Sequence, residues 1–326
     1  MQSWDLVRAN LTSPMVLAFV MGLLATWLRS DLRLPAELYT VLSFYLLFSL
    51  GLKGGEELVH TPFLMVWKPA LATLGLGVTV PLLAYFLLRR LGKQSVTDAA
   101  AIAAHYGSVS VVTFSAAQTM LTMGGFKPEG FLPALVALLE APAIIVALGL
   151  ARLRTGRANG EGVREALRDL LTGKSIFALV GGLLIGVICG PEGVKPVTVF
   201  FFDPFKGALT LFLLELGMVT ARRLRDLRSA SRFLWIYAIL GPILHGSVGV
   251  LLGTSVGLSV GGSAVLGSMA ASASYIAAPA AVRVALPDAN PGYYLGMSLG
   301  ITFPFNLTLG IPLYAALSLY LHGGHG

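Results

Sequence analysis

Charge is scarce in this chain. Of 326 residues only 12% are Asp, Glu, Lys or Arg, against 56% hydrophobic, whereas a soluble domain has about a quarter of its residues charged. A water-facing surface cannot be made from that stock, so a soluble globular domain is excluded. Cysteine is almost missing as well. Cys189 stands alone, which excludes a disulfide within one chain and leaves a small packing residue in an apolar run. The ten-residue alternation of polarity that marks a membrane β-barrel is absent. So are His-Glu-x-x-His and Gly-x-x-x-x-Gly-Lys-Ser/Thr, and with them the zinc-hydrolase and nucleotide sites those patterns carry. No catalytic residues, no cofactor and no enzyme activity are expected. Transport, if that is the function, would be driven by an ion gradient or be passive.

Long apolar runs are what the chain does have. The mean hydropathy is +0.79, and runs of roughly 18 to 25 residues recur, each long enough to cross ~30 Å of hydrocarbon. Ten spans are expected, at about 14–30, 36–53, 67–89, 97–123, 129–151, 174–190, 205–222, 232–256, 260–285 and 291–321. The fourth, ninth and tenth are too long for a simple crossing, so each should break, kink or tilt. The fold class is all-α integral membrane. No cleavable signal is expected ahead of the first span.

The net charge of +7 does not indicate nucleic acid, because the basic residues gather in short loops. Those after odd-numbered spans hold Arg29 and Arg33, then Arg89, Arg90 and Lys93, then the group from Arg152 to Lys174, then Arg222 to Arg232, and Arg283. The excess of positive charge places these loops in the cytoplasm and both termini outside a plasma (inner) membrane.

The chain divides into residues 1–152, a linker at 153–173 and residues 174–326. The linker carries an amphipathic pattern over 162–171, read as a cytoplasmic interfacial helix or a solvated connector. The same offset separates Gly51 from Gly217 and Ser108 from Ser274, and Glu140-Ala141-Pro142 answers Thr302-Phe303-Pro304. Five spans per half force the second half to enter the membrane in the opposite sense. The expected architecture is a 5+5 inverted repeat.

Two small-residue interruptions occupy matching spans: His105 to Thr113, and Ala270 to Pro279. A break near Gly107 to Val109 would start a half-helix at about Ser110, and Pro279 suits the first turn of another. Half-helix N-termini carry unpaired N–H groups and positive dipole ends, so two of them opposed near the midplane would cradle an anion. The candidate substrate residues are Gly107, Ser108, Val109, Ser110, Ser272, Ala273, Ser274 and Tyr275. Glu140 lies in mid-span, where a carboxylate is costly. It fits a coupling-ion ligand, a proton relay or a structural hydrogen bond. Thr113, Thr302 and Asn306 complete the candidate sodium set. His105 fits either an internal hydrogen bond or a substrate contact.

Several stretches resemble the sodium-dependent bicarbonate transporters first known from cyanobacteria: Leu50-Gly51-Leu52-Lys53-Gly54-Gly55, Gly107 to Thr113, Pro279 to Pro291 with Arg283, Pro287 and Ala289-Asn290-Pro291, and Gly310-Ile311-Pro312-Leu313. The resemblance covers nearly the whole chain. It implies the 5+5 inverted repeat, a homotrimer, import of bicarbonate with sodium, bicarbonate held between the two broken helices, and a cytoplasmic regulator similar to the PII proteins. Two departures stand at the site itself. The family pattern Ser-Gly-Ser-Thr is here Ser110-Val111-Val112-Thr113, and Ser-Asp-Ile-Ser-Gly-Pro is here Ser274-Tyr275-Ile276-Ala277-Ala278-Pro279. The central loop is also shorter. With Tyr275 in place of a carboxylate, another small anion such as an organic carboxylate remains an alternative. So does an anion-binding receptor that does not transport.

Overall fold

Apolar runs punctuated by Pro, Gly and capping Ser fold here into helices. The structure is a computed structural model describing residues 3–155, 168 and 171–323, and every regular element among them is helical. The main helices are α1 (Ser3–Leu11), α2 (Pro14–Trp27), α3 (Ala36–His60), α4 (Phe63–Arg90), α5 (Val96–Gly107), α6 (Val111–Met123), α7 (Leu132–Thr155), α8 (Lys174–Val194), α9 (Phe205–Arg223), α10 (Arg232–Ser255), α11 (Val260–Ala270) and α12 (Ala278–Ala285). The last, α13, runs from Pro291 to Leu321. Among the described residues, seven helical stretches are long and apolar enough to cross a membrane, α5 and α6 being counted together, and α2 and α11 are shorter apolar helices.

The long fourth, ninth and tenth stretches are all irregular. α5 and α6 are parted at Ser108 to Ser110, α11 and α12 at Ala271 to Ala277, and α13 winds into π-helix at Gly296–Thr302 and Asn306–Gly310. Three features differ from the expectation. Of the ten expected spans, those at 14–30, 205–222 and 260–285 are not among the seven. α3 continues to His60, so Lys53, Glu56 and Glu57 lie within a helix instead of at its edge. α1 was not foreseen; its Asn10 Nδ2 donates to the carbonyls of Leu307 (2.7 Å) and Thr308 (3.1 Å), which the π-helical stretch leaves open. The amphipathic stretch at 162–171 falls almost wholly outside the described residues.

Helix pairing follows a regular plan. α2 packs on α9 and α3 on α8; α4 packs on α5 and α7, as α10 packs on α11 and α13; α5 meets α7, as α11 meets α13. The first two pairs approach backbone to backbone. A Cβ at Gly22 would collide with the Leu214 carbonyl, and one at Gly217 with that of Phe19. Gly51 and Gly55 on α3 face Leu179 and Leu183 on α8 in the same way, and Gly182 and Gly186 face Phe48 and Leu52. With no hydrophobic drive between helices in lipid, such small-residue seams supply the packing. Two latches tie the halves. Asn290 N donates to Asp98 Oδ1 at the start of α5 (2.8 Å), and Ser259 N, at the start of α11, donates to Glu129 Oε1 (2.6 Å).

Candidate functional site

The two breaks meet. Ser108 is extended, Ser110 caps α6 with its hydroxyl accepting from Thr113 N (3.2 Å), and α6 begins at Val111. In the second break Ala278 N donates to Ser274 Oγ (3.3 Å), and Pro279 sits in the first turn of α12. Backbone hydrogen bonds then cross between them: Ser110 N donates to Ser272 Oγ (2.8 Å) and Ser274 N to the His105 carbonyl (2.8 Å). Ser272 Oγ itself donates to Met269 O (2.7 Å). Gly107 serves close packing, since a Cβ there would strike Pro81 of α4 and Ala143 of α7. The middle of the α5–α6 span lies inside the protein, and Ala99, Ala100, Ala101, Ala103 and Ala104 let neighbouring helices close on it.

A small cavity of about 10 Å³ lies at this crossing, lined by Val109, Ser110, Val111, Ser274, Tyr275, Ile276, Leu47, Glu140 and Ser175. That is room for about one water. Ser108 and Ser272 brace the site from behind. Ser108 Oγ donates to the Glu140 carbonyl (3.3 Å). Ser175 was not foreseen, because it stands at the start of α8 beside Lys174 in a stretch with no break or repeat signal to mark it.

Glu140 and its counterpart in the other half have opposite surroundings. The Glu140 side chain is buried, and Oε2 has no hydrogen-bond partner among the described residues. Thr302 is saturated: it donates to the Ala238 carbonyl (2.7 Å), which Pro242 leaves without its helical donor, and its oxygen lies 2.6 Å from the Tyr106 hydroxyl. Asn306 Nδ2 donates to Ala271 O at the end of α11 (2.8 Å), and its Oδ1 lies 3.2 Å from the Tyr314 hydroxyl. The cavity therefore brings Glu140 to Ser110 and Ser274, whereas Thr302 and Asn306 support α10 and α11. Thr113 enters through its backbone N–H.

Tyr275 lines the central cavity and also a larger, open one of about 320 Å³ with Tyr39, Glu215, Arg223, Pro279 and Arg283. Its ring packs edge-on against Phe303 at 5.6 Å, and its hydroxyl turns towards Ser110 without completing a hydrogen bond. His105 is fully buried. Its Nδ1 pairs with Ala101 O (2.7 Å) and its ring stacks on Tyr294 (4.5 Å). The sequence also holds three Gly-x-Ser-x-Gly matches: Gly296 to Gly300, inside the π-helical stretch of α13 with Ser298 Oγ donating to Tyr294 O, and the overlapping Gly253 to Gly257 and Gly257 to Gly261. The overlapping pair lies at a helix end and a helix start; Ser255 Oγ bonds Leu252 O and Ser259 caps α11. None stands on the strand-to-helix turn that exposes a nucleophile.

The model of the Na+-dependent bicarbonate transporter superfamily matches residues 14–318. The chain belongs to that superfamily. As a bicarbonate-transporter superfamily member it is a multi-pass membrane protein built for transport. The match spans both breaks, Glu140 and most of each half. No protein of curated function matches this superfamily member.

Proposed function

We propose that the protein is a sodium-coupled symporter that imports bicarbonate through an inner (plasma) membrane. The observation that carries this reading is the central cavity, which puts the buried, unpartnered Glu140 carboxyl beside Ser110, Ser274 and two half-helix N-termini. Ser108, Ser110, Ser272 and Ser274, with the N–H groups around Val109, Ala273 and Tyr275, form or brace the anion site. Without a counter-ion, Glu140 would repel that anion. At an effective dielectric of about 20, unit charges about 4 Å apart interact by roughly 4 kcal/mol, close to a thousandfold in affinity. Sodium at Glu140 removes the penalty, so anion and sodium bind together or hardly at all. That is symport without any further device.

The repeat supports the sodium assignment. Pro81 in α4 corresponds to Pro242 in α10 and frees the Gly77 carbonyl as Pro242 frees that of Ala238. Thr302 donates to Ala238, but Glu140, at the matching place, has no hydroxyl to give. A buried carboxylate oxygen that lacks a donor, Glu140 Oε2, suits a cation. The pairing of α2 with α9 and α3 with α8, and the matched breaks, support a 5+5 inverted repeat with both termini outside. The homotrimer and a PII-like regulator at the 153–173 loop complete the reading by family resemblance.

Uptake of labelled bicarbonate into proteoliposomes, with and without an inward sodium gradient, tests this. Uptake indifferent to sodium overturns the coupling. An organic carboxylate is the second reading, motivated by the Tyr275 ring in the cavity wall.

A further inference from the structure

A third cavity, of about 130 Å³, lies between α3, α6 and the start of α9, lined by Ser49, Lys53, Gln118, Thr119, Thr122, Phe202 and Lys206 among others. Its location at the C-terminal ends of α3 and α6 puts it on the membrane face opposite the Arg223–Arg283 cavity. Lys53 Nζ is held 5.9 Å above the Phe202 ring. Neither Lys53 nor Lys206 is in an ion pair among the described residues. Glu56 and Asp203 are nearby in sequence but do not line the cavity. Ser49 is buried, lines the cavity, and its Oγ has no hydrogen-bond partner among the described residues.

Ser115, Thr119 and Thr122 follow one face of α6, and the Ser115 and Thr122 hydroxyls donate to the Val111 and Gln118 carbonyls. Ser115 lines a further void of about 10 Å³ with Ser43, and that void shares Leu47, Val111 and Ile276 with the central cavity. The two lysines and the breaks thus stand towards opposite ends of one face of α6. Two lysines outside any ion pair among the described residues, the Gln118 amide and a buried Ser49 whose Oγ completes no hydrogen bond form a site for a small monovalent anion.

We infer that the Lys53–Lys206 cavity is an outer anion-binding station that captures bicarbonate before it reaches the breaks. It rests on the reading of the chain as a bicarbonate importer. Charged walls at a narrow mouth raise the local anion concentration and the rate of capture.

Two measurements test the station. In proteoliposomes at low ionic strength, Lys53→Gln with Lys206→Gln should raise the KM for bicarbonate about tenfold, with the loss falling on KM more than on the maximal rate. The gap should close as salt screens the charges, and Lys53→Arg with Lys206→Arg should restore the KM. A KM within about twofold of the unaltered protein at low salt overturns the inference. The second measurement does not depend on transport. A membrane-impermeant amine-acetylating reagent is applied to right-side-out vesicles holding the full chain, with sodium bicarbonate or sodium gluconate outside. Acetylation of Lys53 and Lys206, read by mass spectrometry, should be slowed several-fold by bicarbonate and not by gluconate. Equal rates overturn the station even if the symporter reading stands. Protection without any uptake by the unaltered protein supports the station while overturning import.

Discussion

Glu140 and Thr302 occupy matching places in α7 and α13, yet one is unsatisfied and the other saturated. Thr302 has both a carbonyl to donate to and a Tyr106 hydroxyl beside it, while Glu140 Oε2 has no partner among the described residues. Of these two positions, one is polar and open and the other is a brace. The half that retains the free carboxyl is the half where ion chemistry is expected.

The largest effect should come from breaking that contrast directly. Glu140→Gln removes the charge and keeps the shape, so sodium-driven uptake should fall roughly a hundredfold to a thousandfold, as measured in proteoliposomes. Sodium chloride should raise the melting temperature of the unaltered protein relative to choline chloride, because a ligand bound to the folded state stabilises it. The Glu140→Gln variant should lose that increment. If it keeps a sodium-dependent melting temperature, sodium binds elsewhere. Thr302→Val should do the reverse. It strips partners from the Ala238 carbonyl and the Tyr106 hydroxyl, costing about 1–3 kcal/mol of stability, while sodium dependence of the surviving uptake stays.

Tyr275 sharpens the comparison between the two faces of the site. It lines both the central cavity and the open cavity with Arg223 and Arg283, whereas it does not line the Lys53 cavity. Tyr275→Ala should therefore remove a wall on one face alone. The expected result is a passive bicarbonate leak that persists without a sodium gradient, measured as efflux from preloaded vesicles. Sodium-dependent flux with no leak would show that another group closes that face.

How far the sequence reaches can be judged from particular residues. Ser110 as the start of a half-helix and Pro279 in the first turn of another were legible, because capping and proline chemistry are local. Their meeting followed from a shared offset, a pattern in the chain itself. Glu140 stood out because a mid-span carboxyl is costly. Three things had no local signal. Ser175 reaches the cavity only through the packing of α3 on α8. Asn10 sits in a helix of its own and serves carbonyls nearly the whole chain away. Thr302 and Asn306 carry the right atoms for an ion site, but whether an oxygen is free or spent depends on partners that tertiary packing brings. Gly107 was marked by its place at the break, while the structure uses it for proximity to Pro81 and Ala143.

The smallest effect separates two serines in the same break. Ser272 Oγ is fully used, accepting from Ser110 N and donating to Met269 O, and it does not line the cavity. Ser274 Oγ caps α12 through Ala278 N at a longer 3.3 Å and does line it. Ser272→Ala should thus cost about 1 kcal/mol of stability, the net worth of a typical hydrogen bond, with the KM for bicarbonate little changed. Ser274→Ala should raise that KM about fivefold, close to 1 kcal/mol of lost anion contact, with a smaller shift in melting temperature. Paired KM and thermal measurements on the two variants decide the matter. If Ser272→Ala moves KM as far as Ser274→Ala, the seam between the breaks and the anion site are one structure, and the division between bracing and binding residues fails.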